Sequence, residues 1–309
     1  MKIYIIIVAG ILIIHSVHAQ PRDSITLKKA DSLFYAFNWK KAKTEYEKLS
    51  INSLYASDAL FLNHLGYCYQ NLGNFNRAIN LYEKAMGTKP ASIPLRQVIY
   101  ARLAKCYATQ KKDDLSLRAL KGALQNGYLN FEDLDSAKAF KEIRLRKEFL
   151  TMRDSAYYRA FPCMADLHAR EFDFWVGEWD AYSTGTNILR GQSVIQRVSG
   201  GCLVLENWKS VGSPYSGKSM NFVDSSGKWQ QVWVGVSEGS GPNVFTNGEY
   251  RDSAMRFIFS TRDNTGKPLK GRFTFFNLGP DKVRQLQETS ADEGTTWNTV
   301  YDFMYIRRK

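Results

Sequence analysis

Residues 59–90 read ALFLNHLGYCYQNLGNFNRAINLYEKAMGTKP. Within them stand Leu62-x-x-Leu65-Gly66-x-x-Tyr69, then Ala78-x-x-x-Tyr82, then Ala85 and Pro90. Apolar residues three and four apart predict two amphipathic helices. Small Gly66 and Ala78 let the two helices approach closely. Leu65, Tyr69 and Tyr82 fill the space between them. Gly73-Asn74 supplies the turn, and Pro90 stops the second helix.

This phrase resembles a tetratricopeptide repeat in its residues and their order. Two weaker copies flank it. Upstream, Ala30, Leu33, Trp39, Ala42, Tyr46 and Leu49 keep the order; downstream, Leu103-Ala104-x-x-Tyr107 leads to Leu120 and Ala123. Ala42 to Ala78 is 36 residues and Tyr69 to Tyr107 is 38, so each junction carries a small insertion against a family period of about 34. Three repeats are about the minimum that stacks a continuous core. Phe131, Leu134, Phe140, Ile143, Phe149 and Leu150 then read as a helical cap over the open end. The resemblance implies a protein or peptide partner in the concave groove.

Near Phe161-Pro162-Cys163 the helical pattern ends. Six of the seven tryptophans lie beyond it. Short alternating runs separated by turn residues predict strands near 178–185, 189–199, 202–210, 217–224, 228–237, 243–250, 253–262, 269–277, 281–290 and 296–307. Their up-and-down order with short loops predicts a closed antiparallel barrel, with a β-sandwich as the second reading. The expected fold class is therefore α+β in two domains. The parts are a signal segment 1–19, a helical repeat domain 20–160, a linker 161–170 and a barrel 171–309.

The phrase Phe172-Asp173-Phe174-Trp175-Val176-Gly177-Glu178-Trp179-Asp180 opens the barrel. Gly177-x-Trp179 resembles the opening motif of lipocalins and related calycin barrels. The whole domain resembles a bacterial secreted family of unknown function, with FDFWxGEW near its start and SxDxGxTW near its end. The lipocalin resemblance implies that Trp179 plugs the closed end under an arginine of the last strand, and Arg307 and Arg308 are the candidates. Ser290-x-Asp292-x-Gly294-x-Thr296-Trp297 also fits the Asp-box of sialidases. It occurs once, whereas a propeller would repeat it, so it reads as a hairpin turn in which Asp292 accepts backbone N–H bonds and Gly294 takes a special backbone angle.

At the amino terminus, Lys2, an apolar run over residues 5–14 and Val17-His18-Ala19 predict a cleavable secretory signal, too short for a membrane span. Cleavage near Ala19 would make the protein periplasmic or extracellular. No later stretch reads as transmembrane. Export permits disulfides. Cys163 before the barrel and Cys202 after Gly200-Gly201 are the expected pair, with Cys68 and Cys106 free.

Chemistry is narrowed by what is missing. Beyond the signal segment only His64 and His168 remain. His64 reads as a packing or groove residue, and His168 falls in the linker. A Ser-His-Asp triad, a histidine-rich zinc site and a histidine-ligated haem have no imidazole in the barrel. No metal site and no cofactor is expected. Gly239-Ser240-Gly241 lacks the strand-to-helix context of a phosphate loop and reads as a loop at the barrel mouth.

Period-two alternation puts Glu206 with Trp208 on one strand face, Trp229, Gln231 and Trp233 on another, and Arg284, Glu288 and Ser290 on a third. Facing inward, these would line one aromatic cavity with a few polar groups. Three readings follow. In the first, the protein is a non-catalytic interaction protein whose barrel holds a small apolar ligand or serves as a rigid module. In the second, Glu206 and Glu288 form an acid–base pair in a barrel-based hydrolase or isomerase. In the third, the carboxylates pair with Arg284 and Arg272 in a filled structural barrel.

The chain has 42 Lys+Arg against 30 Asp+Glu, a net charge of +12. Residues 20–163 hold 24 against 14, and residues 164–309 hold 17 against 16. The basic excess thus belongs to the repeats. Solvated helix faces account for most of such charge. Export argues against nucleic acid, and a use for the excess would be attraction of an acidic protein segment or an anionic envelope surface.

Overall fold

The structure, a computed structural model, describes residues 21–88, 92–236 and 241–309. The signal segment 1–19, Pro90 and Gly239-Ser240 lie outside the described residues. The chain divides into two compact units, one ending at Ala156 and the other running from Tyr157 to Lys309.

The first unit is helical. Its antiparallel pairs are α1 (Pro21–Tyr35) with α2 (Trp39–Leu49), α4 (Ala59–Asn71) with α5 (Phe75–Gly87), and α6 (Ile93–Thr109) with α7 (Asp113–Gln125). A short α3 (Ser53–Ala56) fills the first junction, α8 (Phe131–Ser136) follows, and the unit ends within α9 (Lys147–Ala160). Side-chain caps define the starts: Asp58 accepts from the Phe61 amide at 2.7 Å, and Asn74 from that of Arg77 at 3.2 Å.

Gly66 lies beneath the Tyr82 ring, where an added Cβ would stand 2.8 Å from Cε1. Tyr82 is fully buried and its hydroxyl donates to Gln70 at 2.7 Å, so the ring has no retreat. Gly66→Ala is therefore expected to destabilise this unit by about 1–3 kcal/mol in urea unfolding. An unchanged midpoint would refute the close approach. The expected cap residues Leu134, Phe140, Ile143 and Phe149 are buried in the same core, whereas Leu150 is exposed. Cys68 and Cys106 are free, and burial pushes both thiols up to about 12.

The second unit is a closed ten-stranded barrel in sequential antiparallel order, β1 pairing with β10. The strands are β1 (Gly177–Ser183), β2 (Leu189–Val198), β3 (Leu203–Ser210), β4 (Ser216–Val223), β5 (Trp229–Gly235), β6 (Asn243–Arg251), β7 (Ala254–Arg262), β8 (Pro268–Asn277), β9 (Lys282–Ser290) and β10 (Asn298–Arg307). Each lies within two residues of its expected place. Closure rules out the sandwich.

Residues 161–170, expected as a linker, instead fold as part of this unit. They contain α10 (Pro162–Ala165) and a 3-10 turn over His168–Arg170. A disulfide joins Cys163 to Cys202, with Cα atoms 5.1 Å apart. His168 is not a linker residue either. Its Nδ1 lies 2.9 Å from Glu171 and its Nε2 3.0 Å from the Gly227 carbonyl oxygen, clamping this segment to the β4–β5 turn. The Glu171 bond raises its pKa. His64, in the helical unit, stacks on Phe34 at 4.2 Å with Nδ1 3.1 Å from the Tyr46 hydroxyl, and burial lowers its pKa.

Candidate functional site

The barrel interior has two halves. The lower half is packed by the segment that precedes β1. Phe172 and Trp175 are fully buried, and the Phe172 ring meets Phe275 at 5.0 Å and Trp229 at 5.6 Å. Trp179 donates its indole N–H to the Trp175 carbonyl oxygen at 2.8 Å. The Arg307 guanidinium lies 4.2 Å from the Trp179 ring centroid, and one of its N–H groups donates to the Val176 carbonyl oxygen at 3.1 Å. Gly177 makes this possible: its φ is +141°, and a Cβ there would collide with Arg307. Arg308 points elsewhere and pairs with Glu178 at 2.7 Å. Of the two candidate arginines, Arg307 closes the plug.

The upper half is a cavity of about 470 Å³. It lies toward the end bearing the β3–β4 and β5–β6 loops, since Ser210, Val211, Ser213 and Tyr215 line it together with Asn243. Trp208, Trp233, Phe245, Phe273, Tyr301 and Phe303 form its walls. The Trp208 and Phe303 rings are nearly parallel, 4° apart, with centroids at 6.0 Å.

Two glycines keep this space open. The Trp208 ring packs against Gly191 and the Trp233 ring against Gly217, where an added Cβ would come within 2.3 Å of either indole. Bare backbone lets each indole lie against the wall instead of projecting into the lumen.

Glu206 lines the cavity deep in the barrel and is 4% exposed. Ser193 and Ser219 donate their hydroxyls to its two oxygens at 2.7 and 3.0 Å. The chain continues from Asn221 Nδ2 to Ser219 Oγ at 3.0 Å and from Gln231 Nε2 to Asn221 Oδ1 at 2.7 Å. Burial, opposed by the two hydroxyls, pushes the Glu206 carboxyl up to about 7. Burial first, and the nearby Glu206 carboxylate second, push the Tyr301 and Tyr305 phenols well above their usual range. Tyr305 donates to Gln285 Oε1 at 3.0 Å.

Of the residues read from sequence, Glu206, Trp208, Gln231 and Trp233 line this cavity. Trp229 shares their strand face but sits in the packed lower half, its indole N–H donating to Glu171 at 3.1 Å. Arg284, Glu288 and Ser290 are not inside. Alternation along β9 turns Val283, Gln285 and Gln287 inward and these three outward. Glu288 pairs across the outer face with Arg272 at 2.9 Å, and Arg284 with Asp302 at 2.6 Å. Charged partners on β8 and β10 decide that face. Glu206 pairs with serines and with neither arginine. An acid–base pair of Glu206 and Glu288 is thereby ruled out, since the barrel wall separates them.

The Asp-box residues form a turn beside that outer cluster. Asp292 accepts the Thr296 amide at 2.9 Å and the Ser290 hydroxyl at 2.7 Å, holding its carboxyl down at about 2. Gly294 has φ +98°, and Trp297 packs under the Arg272 guanidinium at 4.1 Å. Residues missed from sequence include Gln285, Gln287, Phe245, Phe273, Tyr301 and Phe303. Tyr301-x-Phe303-x-Tyr305, aromatic at every second position, carried a readable signal for β10. Among the described residues no cluster of His, Cys, Asp and Glu fits a metal ion, and no helix is long and apolar enough to cross a membrane.

The tetratricopeptide-repeat family profile matches residues 59–90. Among solved structures, one described as "Crystal structure of MamA" is similar, with 14% identity and a TM-score of 0.39, covering 47% of this chain and 81% of that chain. No curated protein matches the sequence.

Proposed function

We propose that this protein is an exported, non-catalytic interaction protein. Its repeats dock a protein or peptide, and its lipocalin-like barrel holds a small apolar ligand. The carrying observation is the aromatic-walled cavity of about 470 Å³ with a few convergent polar groups, the usual make-up of a small-molecule site. The tetratricopeptide repeats imply a protein partner, and the basic excess of residues 20–163 favours an acidic one, attracted in a salt-dependent way. The apolar run and small-residue site before Gln20, together with the Cys163–Cys202 bridge, support export.

Neighbouring residues on opposite faces of β9 test the ligand reading. Titration with the neutral dye Nile red is expected to saturate at one equivalent. Gln287→Trp, which fills the cavity, should weaken binding about tenfold or more, in line with the loss of about 1.4 kcal/mol of contact. Glu288→Gln, on the outer face, should leave it unchanged. Equal effects of the two substitutions, or no saturable binding, would overturn the reading.

A further inference from the structure

We infer that the barrel ligand is an organic cation: an apolar body carrying one protonated amine that seats against Glu206. This rests on the ligand reading of the cavity above. Among the described residues, Glu206 is the only carboxylate that lines the cavity and Arg190 the only lining cation. Arg190 belongs to the outward-alternating positions of β2, and its Nε donates to Ser183 at 2.6 Å near the open end. Among the described residues no Lys, Arg or His forms an ion pair with Glu206. A buried carboxylate without a countercharge is costly, and a cation arriving with the ligand removes that cost.

Geometry leaves room for it. A carboxylate has about four acceptor positions, and the Ser193 and Ser219 hydroxyls occupy one on each oxygen. The two hydroxyls fix the group from either side, on β2 and β4. The surrounding rings add a second attraction, because aromatic faces are electronegative. Tyr301, Tyr305, Trp208 and Phe303 present such faces, and the two tyrosines stand close enough to feel the Glu206 charge. A neutral apolar ligand would use the rings and leave the carboxylate uncompensated. An anionic one would be repelled by it.

The test compares two probes of one shape, 2-(2-naphthyl)ethylamine and 2-(2-naphthyl)ethanol, by calorimetry at pH 8. The amine is expected to bind about tenfold tighter or more, as a desolvated cation on rings and carboxylate should. Glu206→Gln should abolish that preference by weakening the amine alone. In the unmodified protein the preference should also vanish at pH 5.5, where the amine keeps its proton and Glu206 gains one. The other titratable groups facing Glu206, the Tyr301 and Tyr305 phenols, stay neutral throughout. If the alcohol binds as well as the amine, the cation is refuted while the cavity reading stands. If neither probe nor Nile red binds, both fail together.

Discussion

Replacing Cys163 and Cys202 by serine is expected to lower the stability of the barrel unit by about 4 kcal/mol. The bridge closes a loop of 39 residues, and loop-closure entropy for that length comes to about 4 kcal/mol. The loop holds the plug residues Phe172, Trp175 and Trp179 as well as β1 and β2. Without the bridge, the unfolded chain explores more conformations before the plug can re-enter the barrel. Urea unfolding followed by tryptophan fluorescence reads this, since six of the seven tryptophans lie in this unit. Reductant should lower the same midpoint in the unmodified protein and leave the helical unit unmoved, because Cys68 and Cys106 are free. A barrel midpoint indifferent to reductant would sink the prediction.

Glu206→Gln is expected to stabilise the barrel unit at pH 8 by about 3 kcal/mol, and not at pH 4.5. In the folded state burial pushes this carboxyl up to about 7, from an ordinary 4.5. Between those values the folded state binds more protons than the unfolded one, so stability falls as pH rises. The loss begins near pH 4.5, is complete just above pH 7, and amounts to about 3 kcal/mol for a shift of this size. Glutamine keeps the shape and stays neutral, so its difference from the natural protein should grow across that window. Its oxygen accepts from one serine and its amide donates to the other. Taking the difference between the two proteins removes the contribution of His168, whose pKa the Glu171 bond raises. A difference that stays constant from pH 4.5 to 8 would refute a buried, uncompensated carboxyl.

The helical unit was legible almost residue by residue. Gly66, Ala78, Tyr82 and Ala85 each report a local constraint between two helices adjacent in sequence. The strands were legible too, because alternation is a local property. Face was not. Along β9 the alternation is equally regular for Arg284, Glu288 and Ser290 as for Val283, Gln285 and Gln287. Which set enters the barrel depends on Phe273 and Phe275 across on β8, and on Arg272 and Asp302 outside. Depth was also hidden. Trp229 and Trp233 share one face of β5, yet one is core and the other cavity wall, because the plug reaches only half way.

Periodicity and turn residues, which act over a few positions, were enough to specify repeats followed by a ten-stranded barrel. Barrel closure then selected the inner face of every strand and Arg307 over Arg308. It also set the Trp208 and Trp233 rings against Gly191 and Gly217 on neighbouring strands. Those choices join residues far apart in the chain, and register and shear across the closed sheet settle them. For that reason the separation of Glu206, inside the aromatic cavity, from Glu288, on the outer face, becomes visible only once the barrel is closed.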